Sequence, residues 1–329
     1  MQTVQKVLLG VPMVALLAFP TIAHRGGTLH RAPPYHVWKR IIVDSGGAAF
    51  LAVDPVNRHL YGVGNKVIDI DRDTIVAALP PRSGRGYVVA PDLKVAISRT
   101  GFVIDLQTMQ VVRHIDWDGL AVAYDSLTHR VLFIGSNSSD EPPTTFRYAE
   151  FDARTGAMIG QGAFPDESQS VVSDDAGHFW AGVAGLHKIY RIDASTAMVT
   201  DSSAAAECRY PHALSVDSRH QRLFASCNGL LLVLNASSGR VVAKVPTFPG
   251  ETKQSAFDNE TGTLFQPTEK GDLTLVHEDS PDRFSVVSTI QTIGGSGAAA
   301  VDEHTHQVFM FQLNNGGVRV MVLRPDEPR

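Results

Sequence analysis

From Tyr210 to Val245 apolar and polar side chains alternate along four short runs. Between the runs lie the turn-type segments Asp217-Ser218-Arg219-His220, Cys227-Asn228-Gly229 and Asn235-Ala236-Ser237-Ser238-Gly239. A period of two sends successive side chains to opposite faces of an extended chain, so this stretch predicts a four-stranded antiparallel meander. One meander cannot bury both its faces and needs neighbours of its own kind. Those neighbours recur as AFLAVDPVNRHLYGV from Ala49, YVVAPDLKVAISR from Tyr87, LAVAYDSLTHRVLFIG from Leu120 and SVVSDDAGHFWAGV from Ser170. ALSVDSRHQRLFASC from Ala213, SAFDNETGTLFQP from Ser255 and AAAVDEHTHQVFMFQ from Ala298 complete seven copies. The residues that open the first turn of each copy, Asp54, Ala90, Asp125, Ser173, Asp217, Asp258 and Asp302, follow one another at 36, 35, 48, 44, 41 and 44 residues. The mean of about 41 is the length of a four-stranded propeller blade.

A second turn repeats within the copies, at VIDIDRDT from Val67, VIDLQTM from Val103, EFDARTG from Glu150, RIDASTA from Arg191 and VLNASSG from Val233. There an Asp or Asn is expected to bond its own backbone and let the chain reverse tightly. The long third spacing comes from Asn137 to Thr145, a polar, Pro-containing surface loop. The seventh copy lacks a fourth strand, while His36 to Val43 is a strand without a sheet. Pairing His36 to Val43 outside Val318 to Leu323 closes the ring and removes two open sheet edges. The expected fold is therefore all-β: a seven-bladed β-propeller of four-stranded antiparallel blades, closed by an N-terminal strand, in one domain over residues 36–329.

The residues before that domain change the setting. Lys6, the apolar run from Val7 to Phe19 and the small-residue site Thr21-Ile22-Ala23 read as a secretory signal over residues 1–23. The run is interrupted by Gly10 and Pro12 and is short beside the roughly 20 residues of a membrane span. Residues 24–35 read as a flexible leader. The protein is expected in the periplasm or outside the cell, with no membrane span once the signal is cleaved. In that oxidising setting Cys208, in the loop entering the first strand of the fifth copy, and Cys227, at the far end of its second strand, are expected to form a disulfide. With 43% hydrophobic and 19% charged residues the chain is globular, and its net charge of −5 without a basic cluster makes nucleic acid a poor partner.

Candidate chemistry is sparse. There is no HExxH, CxxC or EF-hand spacing, and Gly294-Gly295-Ser296-Gly297 lacks the strand-to-helix setting of a nucleophile elbow. His59, His129, His178, His220, His304 and His306 fall in first turns of different copies, where they read as surface residues spread around the ring. Neither a metal nor a cofactor is expected. Five residues before each turn-opening residue, at the start of the innermost strand, stand Ala49, Arg85, Leu120, Ser168, His212, Lys253 and Gly297. Arg85, His212 and Lys253 share one slot in three blades, with Glu167 and Glu251 close by. Read blandly, this is the wet rim of a channel. Read sharply, it is a site for a small anionic or carbonyl-bearing ligand, with His212 as base, Arg85 and Lys253 binding negative charge, and Ser168, Glu167 and Glu251 around them.

Seven copies, the AVDP-x-x-x-x-LY motif of Ala52 to Tyr61, the V-x-D-x-x-T-x-x-V motif of Val103 to Val111 and the export signal resemble the YVTN/YncE-type β-propellers, with lactonase-type propellers as near relatives. The first resemblance implies an exported binding or scaffold protein that recognises a small molecule or a protein on its loop face. The second implies, as the alternative, a lactonase-like hydrolase or lyase working at the channel mouth.

Overall fold

The repeats fold alike because most of their turns are held by the same device. At the end of the first strand Asp54 accepts the backbone N–H groups of Val56 and Asn57 at 2.9 and 3.2 Å. Asp217 does the same for Arg219 and His220, and Asp258 for Glu260 and Thr261. The fourth residue after the turn-opening one is then left-handed in every copy: Arg58, Lys94, His129, Gly177, Gln221, Gly262 and His306 all have positive φ. The second turn repeats the scheme. Asp69, Asp105, Asp152 and Asp193 each accept two N–H groups, and the left-handed step falls on Asp73, Met109, Gly156, Ala197 and Gly239.

In the computed structural model, which describes residues 33–43, 48–81, 83, 86–136, 146–208, 210–295, 297–314 and 317–326, these meanders are seven four-stranded antiparallel sheets. Within each sheet we letter the strands A to D from the inside outwards. The innermost A strands are Ala48–Asp54, Tyr87–Ala90, Ala121–Asp125, Ser168–Ser173, Ala213–Asp217, Ala256–Asp258 and Ala299–Asp302, which define blades 1 to 7. Each A strand packs beside the next, and that of blade 7 meets that of blade 1, so the ring is closed. No helix occurs among the described residues, and so none is long and apolar enough to cross a membrane.

The closure is the expected one. Tyr35–Val43 pairs antiparallel with Gly317–Pro325, from Tyr35 opposite Pro325 to Val43 opposite Val318, and supplies strand D of blade 7. Two ion pairs fasten blade 7 to blade 1, one from the closing strand and one from strand A. Lys39 Nζ lies 2.6 Å from Asp73, and Arg58 forks onto both oxygens of the fully buried Asp302 at 2.6 and 2.7 Å.

Blades bury both faces against their neighbours, so strands B and C are almost uniformly apolar and enclosed. Ile41, Val43, Leu60, Ile68, Phe309 and Val320 join blades 7 and 1. Trp180, Ile189, Leu214, Leu223 and the two cysteines join blades 4 and 5. Cys208 and Cys227 form the anticipated disulfide, with Cα atoms 5.2 Å apart, and both are buried. The signal segment, all but the last residues of the leader, the Asn137 to Thr145 loop, Arg85 and Ser296 lie outside the described residues.

Candidate functional site: the central channel and its two mouths

The seven A strands enclose a channel of about 500 Å³. Its wall is apolar and polar in equal measure: the residue before each turn-opening position is Val53, Val89, Tyr124, Val172, Val216, Phe257 or Val301, and Ser170, Ser215 and Ser255 stand among them. Ser215 and Ser255, of blades 5 and 6, hydrogen-bond across this wall at 3.0 Å.

At the mouth bearing the D–A and B–C loops, two side chains reach over the opening. Strand A of blade 1 is bulged between Ala48 and Ala52 against strand B. The bulge presses the Phe50 carbonyl onto Gly62, where a Cβ would fall 2.2 Å from that oxygen and φ is +98°, so only glycine fits. The Phe50 ring is thereby turned into the channel mouth, where it packs against the apolar cluster of blades 3 and 4. Gln254 supplies the second cover. Its Oε1 accepts the Leu51 N–H at 2.7 Å and its Nε2 donates to the Leu51 carbonyl at 2.8 Å, as a neighbouring strand would. The Gln254 backbone pairs at the same time with Gly297 and Ala299, so one residue ties blades 6, 7 and 1 together.

The residues singled out from the sequence separate here. Lys253 lines the channel mouth, is exposed, and pairs with no acid among the described residues, neither Glu167 nor Glu251. Ser168 is buried, and its Oγ lacks a hydrogen-bond partner. His212 is half-buried and stacks on Tyr210 with ring centroids 5.4 Å apart, and it is not among the side chains lining the channel. Glu167 accepts the side-chain amide of Gln169, while Glu251 is exposed and its carbonyl accepts the Glu269 N–H. Arg85 lies outside the described residues. Among those described, the shared slot brings Lys253 to the channel and leaves His212 and Ser168 beside it. Sequence reasoning misses Phe50 and Gln254. Gly62, a glycine inside an apolar strand, is the signal for the bulge that aims Phe50.

The mouth on the A–B side is acidic and built differently. Four of the six turn histidines, read from the sequence as surface residues, bond carboxylates that join or brace the turns. His129 Nδ1 lies 2.9 Å from Asp92 of blade 2, His178 3.1 Å from Asp174, and His306 2.8 Å from Asp258 of blade 6. His220 contacts Asp217 and Glu278. Burial and the neighbouring Asp217 carboxylate raise the Glu278 pKa, against the pull of His220. Asp175, exposed at the surface, also lines the channel. Asp302 is pushed up by burial too, but Arg58 and Thr305 hold it below the usual carboxylate range.

The described wall therefore offers a cavity of mixed apolar and polar lining, with Lys253 at its rim in no ion pair with a described acid. Two of its hydroxyls meet a base: Tyr124 Oη donates to Asp92 at 2.7 Å and lies 3.0 Å from His129 Nδ1, and Ser173 Oγ donates to Asp125 at 2.8 Å. No protein-family model and no curated protein matches the sequence. Solved structures do match. A chain of one of them, "Crystal Structure of Mitotic Checkpoint Complex", superposes with a TM-score of 0.67 at 12% identity, covering 98% of this chain and all of its own. At that identity the likeness is one of fold alone: the protein is a seven-bladed β-propeller.

Proposed function

We propose that the protein is an exported binding or scaffold propeller that receives a protein partner on its D–A/B–C face. The observation that carries this reading is an arc of exposed apolar side chains on that face: Leu186, Tyr210, Phe248, Ile293 and Leu313, from blades 4 to 7. Large apolar side chains gathered on one loop face mark interaction surfaces, and tyrosine and phenylalanine are frequent anchors. The buried disulfide accords with an oxidising compartment. The resemblance to exported YVTN/YncE-type propellers and the fold shared with a chain from a protein complex point the same way. To test it, parent protein and a Tyr210→Glu, Phe248→Glu variant are used to capture proteins from the extracytoplasmic fraction. The expected result is a partner retained by the parent and lost by a variant of unchanged Tm. Identical capture by both defeats the reading.

A second reading, a small anionic or carbonyl-bearing ligand at the channel mouth, is favoured by the size of the cavity and by the unpaired Lys253 beside it. Lactonase-like hydrolysis belongs to this reading, with His212 as the tentative base and Arg85 and Lys253 meeting negative charge. Binding and turnover across a panel of lactones and organic acids, in the parent and in the single variants Lys253→Ala, Arg85→Ala and His212→Ala, test it. Ligand binding that depends on Lys253 and turnover that depends on His212 are the expected results. A panel that neither binds nor reacts with the parent removes it.

A further inference from the structure

A cluster on the opposite side of the ring from the D–A loops has the makings of a metal site. Asp217 ends strand A of blade 5, and its Oδ1 is engaged by the turn N–H groups of Arg219 and His220. That turn brings His220 Nδ1 to 2.9 Å from the remaining oxygen, Oδ2. Glu278 arrives from strand C of blade 6, Asp272–Ser280, whose pairing with strand D is irregular between Glu278 and Ser280. Its Oε1 lies 3.1 Å from the same His220 Nδ1, and the three ligand atoms fall within 4.8 Å of one another.

The cluster is poorly satisfied as it stands. The Asp217 and Glu278 side chains are 1% and 4% exposed, so both carboxylates have left water. A single Nδ1 proton hydrogen-bonds Asp217, and Glu278 Oε1 is left without a hydrogen-bond partner. A buried, unpartnered carboxylate oxygen is costly. His220, half exposed at 50%, keeps one side of the cluster open to solvent. Arg222, two residues further on, is occupied by the carbonyls of Pro281, His220 and Gln221 and by Asp282. Arg219, in the same turn, pairs with Glu260.

One imidazole nitrogen, two carboxylate oxygens and an open side for water form a donor set suited to a tetrahedral divalent transition-metal ion. Metal–ligand lengths near 2.0–2.2 Å put tetrahedral ligands roughly 3.3 Å apart, close to the 2.9 and 3.1 Å between His220 Nδ1 and the two carboxylate oxygens. The imidazole nitrogen and the small ligand number disfavour calcium, which takes six to eight oxygens. We propose that Asp217, His220 and Glu278 bind a zinc-type divalent ion that staples blade 5 to blade 6. The ion takes the place of the Nδ1 proton and supplies the partner that Glu278 Oε1 lacks. Nearest-neighbour spacing in the sequence hides the site, because Glu278 belongs to a different blade from His220.

The test uses chelator-dialysed, full-length protein and Zn²⁺ or Co²⁺ alone. The parent should bind one Zn²⁺ and gain a few degrees in Tm by mass action, and bound Co²⁺ should give the visible absorption of a four-coordinate nitrogen–oxygen site. Glu278→Gln, which keeps the volume, and His220→Ala, at a half-exposed position, should each weaken binding at least tenfold. His306→Ala, in the neighbouring blade, should not. Absence of stoichiometric binding by the parent, or undiminished affinity in both site variants, overturns the proposal.

Discussion

Glu150 shows how much one residue can depart from a repeating pattern. In strand C of blades 1, 2 and 5 its slot is held by Val67, Val103 and Val233. Here the glutamate is fully buried between strands B and D, and neither carboxyl oxygen has a hydrogen-bond partner. Burial pushes its pKa up to about 8; Arg130 opposes the shift, while Asp193 and Asp125 add to it. The folded state therefore holds a proton that the unfolded chain releases above its ordinary value of 4.5. Its contribution to stability is intact below that value and is lost as pH rises towards 8. Glu150→Gln, which removes the ionisation and keeps the shape, should match the parent in Tm near pH 4.5 and exceed it increasingly up to pH 8. A Tm difference independent of pH would show that Glu150 ionises freely. The sequence displays the departure, a charge in a valine slot, but not its isolation, which depends on what the neighbouring blade places opposite it.

At the scale of elements, the turns carry the repeat, and two left-handed positions separate backbone strain from side-chain bonding. A non-glycine residue in this conformation costs roughly 1–2 kcal/mol. Lys94 has φ 56° and an exposed side chain in no ion pair among the described residues, so Lys94→Gly should leave stability unchanged or raise it slightly. Arg58 has φ 61° but forks onto buried Asp302, and stranding that carboxylate costs about 3–5 kcal/mol. Arg58→Gly should accordingly lower stability in chemical denaturation despite the relieved backbone. Equal effects at the two sites would mean that the fork is dispensable. The disulfide works on the other side of the equilibrium: it joins residues 19 apart and limits the unfolded chain. The Cys208→Ser, Cys227→Ser variant should lose about 3 kcal/mol on the chain-entropy estimate, read as a lower denaturation midpoint. Blade number, turn chemistry, ring closure and the cysteine pair are all readable in the sequence, because each depends on short-range periodicity or on counting strands. The channel mouth is not. Phe50 and Gln254 cover it through a bulge and a cross-ring amide, and a register counted back from the turns assumes that no bulge intervenes.

For the molecule as a whole, the strand that completes blade 7 matters most. A variant lacking residues up to Val43 exposes the edge of Gly317–Pro325 and breaks the Lys39–Asp73 bond. It should melt well below the parent and self-associate through the bare edge on size-exclusion chromatography. A monomer of parental Tm would show that the ring closes without this strand. The same seam has a consequence in time. His36 and Asp326 meet across 290 residues, and while the entropy of joining such distant points grows only with the logarithm of the separation, pairings this remote are slow to find. Blades 1 to 6 are each built from consecutive strands, but the outer strand of blade 7 precedes all of them in the described chain and its partner follows them all. A nascent chain thus carries an unpaired Tyr35–Val43 strand until Gly317–Pro325 has emerged, and a chain cut short before that point cannot acquire the seam. Ring closure is thus the last pairing the blades acquire: a copy that stops short of Gly317–Pro325 keeps an open sheet edge, and one that reaches it covers that edge.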